Sequence, residues 1–155
     1  PYGSFFIFML EGQTLTIKRP ISIRAVVTPA WKEEAEKDLS NAISNTDTQL
    51  SQLEQEGQQI VKDLRNQSAN PLDPRVQDQV AQVHQQVAEK RAELEEQKRN
   101  LLQQQGQVRE LEMEEIVDQG QIESLCELKV GDNLVSKMKV SLVVRDGVVE
   151  KIEQE

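Results

Sequence analysis

Apolar positions recur at steps of three and four residues through two long stretches of the chain. The first carries Leu39, Ile43, Thr46, Leu50, Leu53, Gly57, Ile60 and Leu64; the second carries Val76, Val80, Val83, Val87, Lys90, Leu94, Gln97, Leu101, Gln104, Val108 and Leu111. That spacing keeps one stripe of a helix facing a partner, the pattern of a coiled coil. Ser68-Ala69-Asn70-Pro71-Leu72-Asp73-Pro74 separates the runs, and two prolines in so short a break stop a helix. The nearly equal runs therefore predict an antiparallel helical hairpin, with Leu53 opposite Val87 and Ile60 beside Val80 or Val83.

Outside the hairpin the period changes from helical to alternating. From Thr14 to Val27, Leu15, Ile17, Ile21, Ile23, Ala25 and Val27 share one face, as in a half-buried strand. Pro20 has no amide hydrogen to donate, so the strand is expected to bulge there or to lie on an edge. Thr28-Pro29 then offers a cap and a first helical residue. Glu33, Glu34 and Glu36 are expected near the positive end of the helix dipole. A helix from Pro29 to near Gln67 would be about 58 Å long, and the return helix, from Pro74 or Arg75 to near Glu112, nearly matches it.

Further on, Ile122 to Val130 reads as a strand before the turn Gly131-Asp132-Asn133. Met138, Val140, Leu142 and Val144 alternate again, and Arg145-Asp146-Gly147 turns into Val148-Val149. Asp-Gly between β-branched residues is a strong hairpin signal. The predicted fold is α+β: a long antiparallel helical hairpin on a small antiparallel β-sheet or open barrel made by N- and C-terminal strands. Residues 14–28 and 113–155 form the β base, 29–112 the coiled-coil hairpin with its tip at 68–74, and 1–13 an apolar N-terminal extension. In that extension Phe5 to Leu10 is too short for a membrane span and lacks a secretory signature; Met9 is the expected natural start.

Composition narrows the function. The net charge is −9, and no helix face is strongly basic, so direct nucleic-acid binding is not expected. Lys18, Arg19 and Arg24 read as a solvated strand face. Cys126 is the one cysteine, which excludes an intramolecular disulfide and a multi-cysteine metal cluster. The expected protein is soluble and cytoplasmic, with no membrane association.

Catalytic chemistry finds little to work with. His84 is the one imidazole and flanks the hairpin seam, whereas Cys126 belongs to the base, so a nucleophile and base pair is not expected. The acidic groups Glu33, Glu34 and Glu36, then Glu93, Glu95 and Glu96, then Glu112, Glu114 and Glu115 read as solvated faces. Lys90, Arg91, Lys98 and Arg99 stand ready as helix-spaced partners. No glycine-rich phosphate loop occurs, and neither cofactor nor metal is expected. The paired and tripled glutamines of the hairpin read as polar coating. Leu72 at the tip, flanked by rigid prolines, either tucks onto the last helical turns or contacts a partner.

Strand, long hairpin with a proline break, Val130-Gly131-Asp132, then Val144-Arg145-Asp146-Gly147-Val148 resembles the YlqD family of small bacterial and cyanobacterial proteins. The resemblance runs from about Leu15 onward, and the apolar stretch before Met9 departs from it. It implies no enzymatic activity and no catalytic residues, and gene neighbourhoods of some members point to ribosome maturation. The expected function is a non-catalytic interaction or scaffolding module for a protein partner, forming a homo-oligomer through its β base and presenting the stalk. The alternative is an accessory factor of ribosome maturation or RNA polymerase acting through the tip, where Asp63, Asp73 and Asp78 would matter beside Leu72. A holdase lacks the broad apolar patch at the stalk ends that client capture needs. A membrane-fusion adaptor, which also flanks a helical hairpin with β elements, is expected to carry a signal sequence and an anchor, which counts against that reading.

Overall fold

The computed structural model describes residues 13–154; all but the last residue of the expected N-terminal extension lies outside them. Two compact units result, one built from residues up to Lys32 together with those from Leu111 onward, the other from Glu33–Glu110. The elements run β1 (Thr14–Val26), α1 (Pro29–Asn66), α2 (Pro74–Glu110), β2 (Ile116–Lys129), α3 (Leu134–Met138), β3 (Val140–Arg145) and β4 (Val148–Gln154).

Both long helices start by the same device. The Thr28 hydroxyl accepts from the Trp31 amide at 3.1 Å, and the Asp73 carboxylate accepts from the Arg75 amide at 2.9 Å. Each capping residue precedes a proline, whose missing N–H is no loss at the first helical position. Glu33, Glu34 and Glu36 fall one turn too late: the first turn of α1 has no acid. The dipole's field fades within that turn; of the three, Glu36 pairs with Arg109, while Glu33 and Glu34 are exposed.

The helices pair antiparallel inside their unit. The expected register is offset by a turn, because Gly57, not Leu53, faces Val87: a Cβ added to Gly57 would lie 2.9 Å from a Val87 methyl. Val61 is buried with Val76 and Val80, flanked by Leu64 and Val83, while Ile60 is 48% exposed. Steps of 57, 60, 64 and 57, 61, 64 obey the same three-and-four rule, so heptad spacing alone does not separate them. On α2 the same ambiguity resolves toward Arg91, Lys98 and Gln105, each less exposed than Lys90, Gln97 and Gln104. Arg91 meets Glu54, Lys98 meets Asp47 at 2.7 Å and Gln105 donates to Ser40 at 3.0 Å. Half-exposed pairs of this kind are worth about 0.2–1 kcal/mol each, enough to choose between near-equal registers though not to hold the hairpin together. Thr46, buried in the seam, donates its hydroxyl to the Ala42 carbonyl at 2.9 Å and leaves no unmet polar group.

The strands form one open four-stranded sheet, ordered β2-β1-β3-β4. It is mixed: β1 pairs antiparallel with β2 and parallel with β3, and β3 antiparallel with β4. α3 lies between β2 and β3 in the chain and lets β3 enter beside β1 in the parallel sense. Pro20 therefore sits in a central strand. It is tolerated because β3 joins at Ile21, one residue later, so β1 is locally an edge at the proline. The bulge lies at Ile23/Arg24 instead, where β2 passes from Gly120 to Asp118. Asp146 and Gly147 both hold positive φ, 49° and 83°, giving the primed turn that the Asp-Gly pair predicts.

Register also assigns faces, because directly paired residues share one. Ile21 aligns with Ile122 and Val140; Ile23 aligns with Leu142, and that with Ile152. Ser22, Arg24, Ser141, Lys151 and Glu153 line the opposite face, where Arg24 and Lys151 both pair with Glu153.

Candidate functional site

Near the start of α1 the β unit closes around a polar knot. The Thr28 hydroxyl, while accepting from Trp31, donates to the Asp146 carboxylate at 2.6 Å. The Val27 amide donates to the Glu115 carbonyl and the Glu114 amide to the Val27 carbonyl, each at 2.8 Å. Arg145 bridges Glu114 and Glu150. The hydrogen bond from Arg145, with its charge, holds the Glu114 carboxyl below the usual glutamate range, and both glutamates keep the guanidinium charged. Val27, fully buried, anchors the knot. Each carboxylate here accepts a hydrogen bond from a neighbour, Glu114 and Glu150 from Arg145, Asp146 from Thr28 and Glu115 from the Glu112 amide, the composition of a structural joint. Trp31 adds an indole bond to Gln119, the bulged residue of β2, at 3.3 Å.

At the hairpin tip the backbone is locked by its own side chains. Ser68 donates to the Asn70 carbonyl at 3.0 Å and accepts from the Asn70 amide at 3.2 Å. The Asn70 side chain accepts from the Leu72 amide at 3.1 Å, and its carbonyl accepts from the Asp73 amide at 3.0 Å. Asx and Ser turns of this kind rigidify a short loop. The outcome for Leu72 is exposure: it is 75% accessible and does not tuck onto the helices.

The tip acids have unequal situations. Asp73 is half-buried and committed to capping α2. Asp63 accepts from the Gln59 amide group one turn earlier at 2.9 Å, and Asp78 is exposed on α2. Among the described residues no three of His, Cys, Asp and Glu are grouped so as to hold a metal ion. The capping role of Asp73 was legible in Asp73-Pro74, the same signature as Thr28-Pro29.

A groove of about 580 Å³ runs along the hairpin beside Gly57, floored by Val61 and Val87 and rimmed by Lys62, Arg65, His84 and Arg91. At Gly57 the Val87 side chain takes the place a Cβ would occupy. His84 thus belongs to a groove in the helical unit whose charged lining also includes Glu54, paired with Arg91, while Cys126 is buried in the β unit. The signal for this rim, Lys62 and Arg65 on one helix with His84 and Arg91 on the other, needed the offset register to be read. Among the described residues no helix is long and apolar enough to cross a membrane.

The architecture defines an α+β protein in which a strand leads into a long helical hairpin and three further strands complete a mixed sheet. The profile of the YlqD protein family matches residues 15–153, and the chain belongs to that family. A protein of unknown function from Synechococcus sp. WH 8102, known from a crystal structure, is 72% identical. The match covers 92% of this chain and 97% of that one, with a TM-score of 0.83. No curated protein matches the chain.

Proposed function

We propose that the chain is a non-catalytic interaction module that self-associates through its β unit and presents the hairpin to a protein partner. Leu72 carries the reading: an apolar side chain 75% exposed on a turn whose backbone is fixed by Ser68 and Asn70. A rigid, exposed apolar anchor loses little entropy on burial, which is what a contact residue needs. The lone histidine and lone cysteine divide between two units, and the carboxylates of the knot are all engaged in hydrogen bonds, which supports a role without turnover. Cytoplasmic residence is part of the proposal.

The test is a mild pull-down from native cells with the wild type and Leu72→Ser. A stoichiometric protein recovered with the wild type and reduced at least tenfold with Leu72→Ser supports the reading, whether it is a ribosomal, polymerase or other subunit. Equal recovery with both, or a turnover abolished by His84→Gln or Cys126→Ser with unchanged circular dichroism, overturns it.

A further inference from the structure

We propose that one flank of the helical hairpin, running from Leu72 at the tip past Arg65 and His84 to Arg91, is the seat of an acidic amphipathic helix of the partner protein. The inference rests on the interaction reading above and names the chemistry of the segment that the hairpin receives.

Three observations carry it. First, the flank is hollowed along its length and has an apolar floor. Beside the tip a hollow of about 370 Å³ lies between Leu72 and Val80, and the groove of about 580 Å³ over Val61 and Val87 follows it. Arg65 and His84 line both, so the two adjoin. The exposed anchor Leu72 therefore stands at the mouth of a groove.

Second, the charge along this flank is the reverse of the chain's own. The net charge is −9, whereas the linings of the two hollows hold Lys62, Arg65 and Arg91 against one carboxylate, Glu54. Glu54 is already paired with Arg91. Lys62 and Arg65 are exposed and take no part in the ion pairs among the described residues, which leaves both cations for an incoming segment. Asp63 stands two residues from Val61 and from Arg65, hence on the other side of α1, and its carboxylate accepts from Gln59. Carboxylates of a partner thus meet attraction here, and complementarity of this kind selects the partner and fixes its register.

Third, the dimensions suit a helix. From Gln77 to Arg91 the flank follows α2 for about 21 Å, the length of about 14 helical residues. A helix laid along the seam sets apolar side chains, recurring every three or four residues, over Val61, Val80 and Val87 and leaves its carboxylates at the rim, the helix-in-groove mode of recognition. A nucleic acid matches less well, since two unpaired cations release few counterions and a phosphate backbone gains nothing from an apolar floor.

The test is a selection from a random sixteen-residue peptide library displayed on phage, run on the full chain and, side by side, on Lys62→Glu/Arg65→Glu. The expected result is a set of peptides enriched at least tenfold on the wild type over the variant, with more acidic than basic residues and with apolar residues at steps of three and four. In fluorescence anisotropy a synthetic peptide from that set should bind the wild type at least tenfold more tightly than the variant. Arg75→Glu, which reverses an exposed charge outside both hollows, should change binding less than threefold. Circular dichroism and melting temperatures check folding, and Lys62→Gln/Arg65→Gln replaces the double reversal should that unfold. A selection that yields no such set, or yields peptides of basic composition, overturns the proposal. So does a sixteen-nucleotide oligouridylate bound as tightly as the peptide, or a wild-type dimer in sedimentation equilibrium that the same reversal breaks. The pull-down separates this failure from that of the interaction reading: a partner lost with Leu72→Ser but kept with Lys62→Glu/Arg65→Glu overturns the groove alone, whereas a partner indifferent to both overturns both.

Discussion

The helical unit and the β unit meet the same requirement, hiding apolar surface, with different success. In the hairpin the seam is a line: Thr46, Gly57, Val61, Val76, Val80 and Leu94 are buried, and each helix needs only its partner to cover it. In the sheet Leu15, Leu125, Val148 and Ile152 remain largely exposed. A helix pair closes on itself, whereas a single sheet always has two faces and two edges. The comparison teaches where unmet demand for a partner lies: along the sheet, and most strongly within the hairpin at Leu72, which is more exposed than Ile60 or Leu102.

The largest expected effect tests whether the seam is as narrow as its burial says. Leu94 is 4% exposed, so Leu94→Ala should lose about 3 kcal/mol through transfer and cavity terms. Ile60→Ala, on the exposed side of the same hairpin, should stay within about 0.5 kcal/mol. Urea unfolding followed at 222 nm separates them. Equal losses would mean that the seam runs through Ile60 after all.

The β unit has its own sensitive point in Thr28. Thr28→Ala removes a helix cap, worth about 1 kcal/mol, and also strips the Asp146 carboxylate of its hydroxyl donor. We expect a loss of about 1–2 kcal/mol in urea unfolding followed by Trp31 emission. Thr28→Ser should restore most of it, since the hydroxyl and not the methyl does both tasks.

Two glycines sharpen the contrast within the hairpin. Adding a methyl at Gly106 meets nothing within 4 Å, whereas at Gly57 it meets a Val87 methyl at 2.9 Å. Gly106→Ala should therefore stabilise by about 0.5–1 kcal/mol through helix propensity. Gly57→Ala sets the same gain against overpacking of a stiff β-branched neighbour, typically about 1–3 kcal/mol, and should destabilise by about 1 kcal/mol. In a double-mutant cycle with Val87→Ala, the two changes should couple favourably.

The sequence made the helices legible because capping, proline placement and heptads agreed at both ends: Thr28-Pro29 and Asp73-Pro74 mark starts that the structure places at Pro29 and Pro74. It did not fix the seam's finer register, since Ile60 and Val61 are both apolar and both obey heptad spacing. The choice shows only when Glu54 and Asp47 are read against Arg91 and Lys98 as a set of opposite charges at seven-residue spacing. Strand pairing was less legible still. Nothing local to β1 says that its second neighbour is parallel; that depends on α3, whose five residues start at the Asn133 cap and give too short a periodic signal. The exposure of Leu72 was open because two prolines restrain a loop without saying which way its apolar side chain faces.

The smallest expected effect is electrostatic and belongs to the β unit. Glu114 is held below the usual carboxylate range chiefly by its hydrogen bond from Arg145, and Glu153 chiefly by its hydrogen bond from Lys151. In both cases the folded chain holds the proton less tightly than the unfolded chain, so the unfolded state binds more protons in the titration window and stability rises with pH there. The contribution is complete above the ordinary glutamate value of 4.5 and is lost as pH falls through the depressed folded values. Both groups lie at the surface, where salt screens such pairs, so the shift in urea midpoint should be small and should shrink further at high ionic strength. Trp31 emission, from the chain's one tryptophan, reports this unit. Its urea midpoint should decline below about pH 4.5, and the decline should be shallower in Arg145→Gln, which frees Glu114. An Arg145→Gln profile parallel to the wild type would show that the knot at the start of α1 is held by Val27 and Thr28, with its ion pairs adding nothing measurable.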